Sequence, residues 1–401
     1  MAEHPFLRTI QLRNILSYGP DTPELKLEPL NILIGPNASG KSNLIEALSI
    51  LAAAPREIQK PIREGGGVSD WPWKGEFELP VALIDVTTYN PSGIANLRYR
   101  VQFRELAGRF HLEDEVVEYA TPFGDHTQPF FLYKYDHGSP VISARVNEDP
   151  KSERSRRTLR KEDVDRERSI LAQRRDPDSF PELTYLANRF ERMCFYREWN
   201  FGRYTAPRRP QKADLQQDFL LEDAGNLGLV LNDLQNRPMI KQRLLEELRH
   251  FYSGVNDVTT RVIGGTIQVY FHEEGLSHPI PATRLSDGTL HFLCLLSILC
   301  HPEPPPVVCI EEPEIGLHPD AAPIIGRLLM EASERTQLFV TTHSTALIDS
   351  VSESPQSVVV CERGPEGTEL KRLDADNLKE WLDKYRLGEI WQMGEIGGNP
   401  R

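Results

Sequence analysis

The stretch that most restricts this chain is Asn31-Ile32-Leu33-Ile34-Gly35-Pro36-Asn37-Ala38-Ser39-Gly40-Lys41-Ser42-Asn43-Leu44. Ile32–Ile34 is a short apolar run that reads as a buried strand, and the residues from Ser42 onward carry apolar side chains at helical spacing. The loop between them fits G-x-x-x-x-G-K-[ST], in which backbone N–H groups and a helix N-terminus surround a triphosphate. Gly35 and Gly40 allow the tight backbone path, with Asn37, Ser39 and Asn43 lining the same loop. Lys41 would reach the β- and γ-phosphates of ATP, and the Ser42 hydroxyl would complete a Mg²⁺ shell. Strand, loop and helix in this order are the context the pattern needs, so a chance glycine turn is the weaker reading.

At 401 residues with 39% apolar content, the chain is long enough for two or three domains with a substantial core. Met1–Thr9 has no apolar centre, and the longest apolar run, Leu290–Cys300, is too short to span a bilayer. A cytoplasmic protein without a membrane segment is expected. The five cysteines (Cys194, Cys294, Cys300, Cys309, Cys361) are scattered, with no CxxC pair and no metal spacing, so reduced thiols are expected rather than structural zinc. A net charge of −13 argues against coating nucleic acid with the whole surface. The balance is uneven, however. Lys151–Arg175 holds ten Lys/Arg against five Asp/Glu, and Arg189–Lys212 holds seven against two.

Taken in order, Phe6–Leu16 alternates as an edge strand, and Leu25–Leu27 returns beside it. After the first helix, which Pro55 ends, strands are expected at Phe77–Thr88, Asn96–Phe103, Arg109–Glu118 and Phe130–Tyr135, forming an antiparallel layer. From about Val146 to Tyr252 the sequence turns charge-rich and helix-favouring. Lys151–Gln173 reads there as a solvated helix or an unstructured segment, and Gln216–Leu234 and Met239–Phe251 read as amphipathic helices. Strand character returns at Arg261. The organisation is therefore an N-terminal part at 1–145, a mostly helical and partly basic insertion at 146–260, and a C-terminal part at 261–401.

Three later stretches add chemistry. Val307–Ile310 is a buried-strand run delivering Glu311-Glu312-Pro313-Glu314; a carboxylate pair at a strand end suits Mg²⁺-dependent phosphoryl transfer, with Glu311 on the metal and Glu312 as general base. Leu338–Thr342 ends in His343, which could donate to a γ-phosphate, although a histidine there is more often structural. Arg284-Leu285-Ser286-Asp287-Gly288-Thr289 opens an apolar helix, giving Ser286 and the Gly288 backbone as a second anion-binding end.

In this order the four stretches resemble the ABC-type ATPase heads of the RecF, SMC and OLD group, closest to compact bacterial RecF/OLD-like ATPases without a Toprim domain. The resemblance covers 1–145 and 261–401. It makes GPNASGKS the Walker A loop, LSDGT the signature, VVCIEEPEIGLHP the Walker B strand with its D-loop, and TTHS the switch histidine; Leu387–Asn399 matches the typical C-terminal stretch. It implies an α/β fold, an ABC-type P-loop ATPase head with a mixed sheet, an antiparallel β-layer and an inserted mostly helical subdomain. It also implies ATP and Mg²⁺ as cofactors and a homodimer, or a higher even oligomer, with ATP between heads. Ser286 and Gly288 would then act on the partner's ATP. No clean Q-loop glutamine is found; Gln59 and Gly65–Gly67 are candidates. Glu311 stands where many such heads have aspartate.

Two functional classes follow. One is an ATP-driven switch regulating a separately encoded effector, a nuclease, in genome or phage defence. The other is a RecF-like DNA-binding clamp for repair, with nucleic acid held by the basic insertion and bases stacked on Phe195, Tyr196, Trp199, Phe201 or Tyr204; packing is the more frequent use of such aromatics. A transporter ATPase fits less well. Val358–Cys361 and Thr368–Leu373 read as a terminal hairpin rather than the start of a Toprim fold. Trp391 and Met393 are candidates for partner docking on a segment more often a closing helix.

Overall fold

The computed structural model describes residues 5–75, 80–122, 127–145 and 154–398. Its centre is a six-stranded sheet in the order Cys194–Tyr196, Val307–Glu311, Gln337–Thr341, Leu30–Ile34, Val358–Gly364, Gly367–Arg372. The first five strands are parallel and the last returns antiparallel as the expected hairpin. Both faces of the parallel strands are covered, which is why they read as unbroken apolar runs. Val308 and Ile310 enter one core, Val307 and Cys309 the other. Each such side chain withdrawn from water contributes roughly 1.5–3 kcal/mol. The register places Glu311 opposite Thr341 and Thr341 opposite Leu33, so the strands carrying the three motifs end at one edge.

An eight-stranded antiparallel sheet covers one side, in the order Leu25–Lys26, Leu7–Arg13, Ala82–Thr88, Leu97–Leu106, Arg109–Tyr119, Phe131–Asp136, Ser139–Arg145, Arg154–Thr158. Leu97, Tyr99, Val101 and Phe103 alternate inward from one strand to meet helices Lys41–Ala53 and Pro181–Glu191. The strand near the N-terminus is not at the edge, because Leu25–Lys26 pairs outside it. The strand expected from Phe77 is seen as Ala82–Thr88, and its expected start lies outside the described residues.

The other core lies under helices Asp287–Leu299 and Ala321–Ser333. A small sheet belongs to that side: Val255–Ile263 and Thr266–Glu273 form a hairpin extended by Gln211–Lys212 and Ile280–Pro281. Helices Leu227–Gln235 and Pro238–Phe251 pack there; the first is shorter than the expected Gln216–Leu234, and the second matches the expected Met239–Phe251 within a residue.

The segment from Lys151 departs from expectation. Arg154–Thr158 is neither helical nor unstructured but the last strand of the antiparallel sheet, paired with Ser139–Arg145. Exposed Arg156 and Arg157 suit an edge position, where charge discourages further pairing. Cys194–Tyr196 likewise joins the central sheet beside Val307–Glu311 instead of staying within a helical region. All five cysteines are free, and Cys294, Cys300, Cys309 and Cys361 are buried. Among the described residues no helix is long and apolar enough to cross a membrane.

Candidate nucleotide site

The loop after Ile34 is held from below and from the side. Gly35 has φ 148° and Gly40 φ 98°; a Cβ on Gly35 would lie 2.1 Å from the Cys361 carbonyl oxygen, and one on Gly40 would lie 2.3 Å from Thr368 Oγ1. The hairpin Val358–Arg372 therefore needs glycine at both positions. Tyr18, fully buried, donates its hydroxyl to the Gly40 carbonyl at 2.9 Å. Helix Lys41–Ala53 starts without a side-chain cap, leaving its first-turn N–H groups free of intrahelical acceptors and suited to an anion. Lys41 Nζ donates to the carbonyls of Gly35 and Pro36 at 2.8 and 2.9 Å. Burial pulls the Lys41 ammonium below its usual range, opposed by Cys361, Glu312 and Glu311. Asn37 and Ser42 are exposed, Asn43 is half-buried, and Ser39 is buried with its hydroxyl unpartnered.

Ser42 Oγ donates to Glu311 Oε2 at 2.6 Å, joining the loop to the carboxylate strand. This hydroxyl and carboxylate form an all-oxygen donor set that fits Mg²⁺, which typically takes one or two protein oxygens and completes its shell with water and substrate phosphates. No group of three His, Cys, Asp or Glu side chains able to hold a metal alone occurs among the described residues. A cation here would therefore need the nucleotide's own oxygens.

Glu312 sits one residue on at φ 45°, unusual for a side chain with a Cβ. Its N–H is anchored on the Thr341 carbonyl at 2.9 Å, and its carboxylate lies 3.9 Å from His343 Nε2, close but beyond hydrogen-bond length. Burial, then Lys41, lowers the His343 pKa, against the opposing pull of Glu312. Glu314 was not foreseen as part of this arrangement. It accepts from the Thr342 hydroxyl at 2.5 Å and the His343 N–H at 3.1 Å, tying the loop after Glu312 to the turn that carries the histidine.

Ser286 and Gly288 stand apart from this cluster. Ser286 caps helix Asp287–Leu299 through Thr289 N–H at 3.1 Å, and a Cβ on Gly288 would meet Gly316 O and Leu317 at 3.5 Å, in the loop following Glu312. The turn is fixed by buried Arg208, which donates to the Leu285 carbonyl and pairs with Asp287. His291, one turn further, touches the Ile315 carbonyl through Nδ1 at 3.1 Å, and burial holds its pKa at about 4.

Other expectations are corrected here. Gln59 donates to the Glu167 carbonyl at 2.8 Å and makes no hydrogen bond to the nucleotide loop. Besides Ser42, a side chain not foreseen reaches the Glu311 carboxylate: Arg197, which donates from Nε to Oε1 at 2.8 Å, while Trp199 Nε1 donates to the Glu311 carbonyl at 2.8 Å. Phe195, Tyr196 and Phe201 are buried and Trp199 lies flat between Tyr196 and Phe201, so of that aromatic group only Tyr204 is well exposed. Trp391 is fully buried and cannot dock a partner; its Nε1 donates to the Gly398 carbonyl at 2.7 Å. Glu362 accepts from the Gly398 N–H at 2.7 Å, and a Cβ on Gly398 would lie 3.3 Å from Gly35 Cα. The glycine-rich end of the chain thus packs against the nucleotide loop itself.

A P-loop on the inner strand of a parallel sheet, with a carboxylate pair two strands away and a covering antiparallel layer, is the architecture of an ABC-type P-loop ATPase head of the SMC kind. The chain is similar in fold to an Smc head bound to the C-winged helix domain of ScpA, at TM-score 0.57 and 12% identity over 93% of this chain and 99% of that one. It is similarly related to the Smc head with an extended coiled coil bound to the C-terminal domain of ScpA, derived from Pyrococcus furiosus, at TM-score 0.56 and 10% identity over 95% and 99%. No curated protein matches the chain. The sequence model of the family described as "AAA domain, putative AbiEii toxin, Type IV TA system" matches residues 30–349, and the chain belongs to that family.

Proposed function

We propose that this ATPase is a RecF/OLD-like switch that hydrolyses ATP with Mg²⁺, dimerises head to tail around the nucleotide, and regulates a separate effector protein, a nuclease, in genome or phage defence. The observation that carries the hydrolytic reading is the 2.6 Å bond between Ser42 and Glu311, which joins the two halves of a metal-nucleotide site. Bound there, Mg²⁺ would offset phosphate charge. Lys41 and the first-turn N–H groups bind the phosphates, Glu312 takes a proton from the attacking water, and His343 donates toward the γ-phosphate. The dimer reading draws on Ser286, exposed at the start of its helix, and on Gly288, which lies beside Gly316 and Leu317 in the loop after Glu312. The defence role draws support from the family's description as a putative toxin of a toxin–antitoxin system. The Smc heads of similar fold are bound to ScpA domains, which favours a separate protein partner here as well. Sedimentation velocity with and without Mg·ATP tests the switch: a monomer that becomes a dimer with nucleotide is expected, and a chain indifferent to ATP overturns it.

A second reading, a DNA clamp, draws on Arg156, Arg157 and Arg160, exposed on and beside the edge strand, with Arg156 also lying over the Phe131 ring at 4.7 Å. Many other basic residues are engaged within the chain: Arg166 lies over Tyr135, Arg175 pairs with Glu191, and Arg197 and Arg208 hold Glu311 and Asp287. If DNA binds, reversing these three exposed charges to glutamate should lower the slope of log affinity against log salt by about 3. Unchanged affinity and slope remove this reading.

A further inference from the structure

We propose that Arg197 is the resident counter-ion of the metal carboxylate, occupying Glu311 until a Mg²⁺-bound nucleotide displaces it, so that the divalent ion enters with ATP and not before it. The inference rests on the reading of Ser42 and Glu311 as metal ligands. Both oxygens of Glu311 already accept: Oε2 takes the Ser42 hydroxyl at 2.6 Å and Oε1 takes Arg197 Nε at 2.8 Å. An ion on these groups requires the Ser42 oxygen to turn a lone pair toward it, and the guanidinium charge must give way to a second positive charge at the same carboxylate.

Arg197 is placed to do this. It follows directly on strand Cys194–Tyr196, whose Tyr196 pairs in parallel with Ile310, the residue before Glu311. Its side chain is 38% exposed and faces a cleft of about 1200 Å³ that also opens onto Ser42, Glu46 and Glu311, so it can swing without unpacking a core. A second carboxylate waits beside it: Glu46 Oε2 is 3.9 Å from Arg197 Nη2. The Trp199 bond to the Glu311 carbonyl keeps the strand end fixed while the side chains exchange. Without nucleotide, a divalent ion would exchange a guanidinium for itself on a single carboxylate, a poor trade. The charges of a triphosphate reverse that balance, because they favour the ion and offer the freed guanidinium an anion of its own.

The test is Mn²⁺ binding by the intact chain, followed by electron paramagnetic resonance. In the absence of nucleotide, Arg197→Met should bind Mn²⁺ at least about ten-fold more tightly than the unsubstituted protein, and adding Glu311→Gln should abolish the gain. Equal Mn²⁺ affinity for the unsubstituted protein and a folded Arg197→Met overturns the proposal. Should Arg197→Met fail to fold, the unsubstituted protein decides. The emission of Trp199, taken as the difference from Trp199→Phe, should change with Mn·ATP and stay constant with Mn²⁺ alone; a full change with Mn²⁺ alone overturns the proposal. If the unsubstituted protein holds no Mn²⁺ even with ATP, the metal-site reading of Ser42 and Glu311 fails, an outcome distinct from failure of the Arg197 role.

Discussion

Glutamine at position 312 should lower ATP turnover by about 10³-fold while leaving ATP affinity within a few-fold of the unsubstituted protein. The amide keeps the shape of the side chain but cannot take the proton of an attacking water. Little else should change, because the backbone at 312 is held by its own N–H on the Thr341 carbonyl and the carboxylate makes no hydrogen bond that the fold depends on. The substitution also leaves untouched the groups proposed to bind nucleotide, Lys41 and the uncapped helix behind it. With chemistry blocked and binding intact, the dimer that ATP assembles should accumulate, visible as a stable species in size-exclusion chromatography with ATP. Steady-state hydrolysis kinetics check the first part; turnover within ten-fold of the unsubstituted rate would move the base to another group.

The parts of the site legible in the sequence were those whose chemistry is written in consecutive residues. Gly35–Ser42, Glu311–Glu312 and His343 each terminate an apolar run, and parallel pairing of those runs necessarily gathers their ends. The antiparallel layer was legible for the same reason, through alternation such as Leu97, Tyr99, Val101 and Phe103. What stayed hidden depends on which segments pair across long separations. Cys194–Tyr196 is three residues long and lies in a charged region, so nothing local marks it as the neighbour of Val307–Glu311; yet that pairing alone delivers Arg197 to Glu311. Arg154–Thr158 is too polar for a strand by pattern and is one only because an edge tolerates exposed charge on its side chains. Trp391, a docking candidate on a segment read more readily as a closing helix, is buried in the core with its indole N–H on the Gly398 carbonyl.

That fold-back places the end of the chain in the same structure as the phosphate loop. Glu362 and Trp391 hold Gly398 from two sides, and Leu387–Met393 is in turn fixed to the segment after His343: Asp349 accepts from the Gly388 N–H at 2.8 Å and Ser352 from the Leu387 N–H at 2.9 Å. The nucleotide loop and the histidine turn are thus braced by one terminal element, while the turn at Ser286 is braced separately by Arg208.

The central claim, that each site draws its signature from the partner, is tested by mixing two inactive variants. Ser286→Arg places a bulky charge on the exposed signature turn at a capping cost of about 1 kcal/mol, and Glu312→Gln removes the base. Each alone should be inactive. Combined in equal amounts before ATP is added, they can form a mixed dimer in which one site has an intact Glu312 from one chain and an intact Ser286 from the other. Random exchange makes half the dimers mixed, each with one working site of two, so the account predicts recovery to about a quarter of the unsubstituted activity. A mixture as inactive as its components would contradict it.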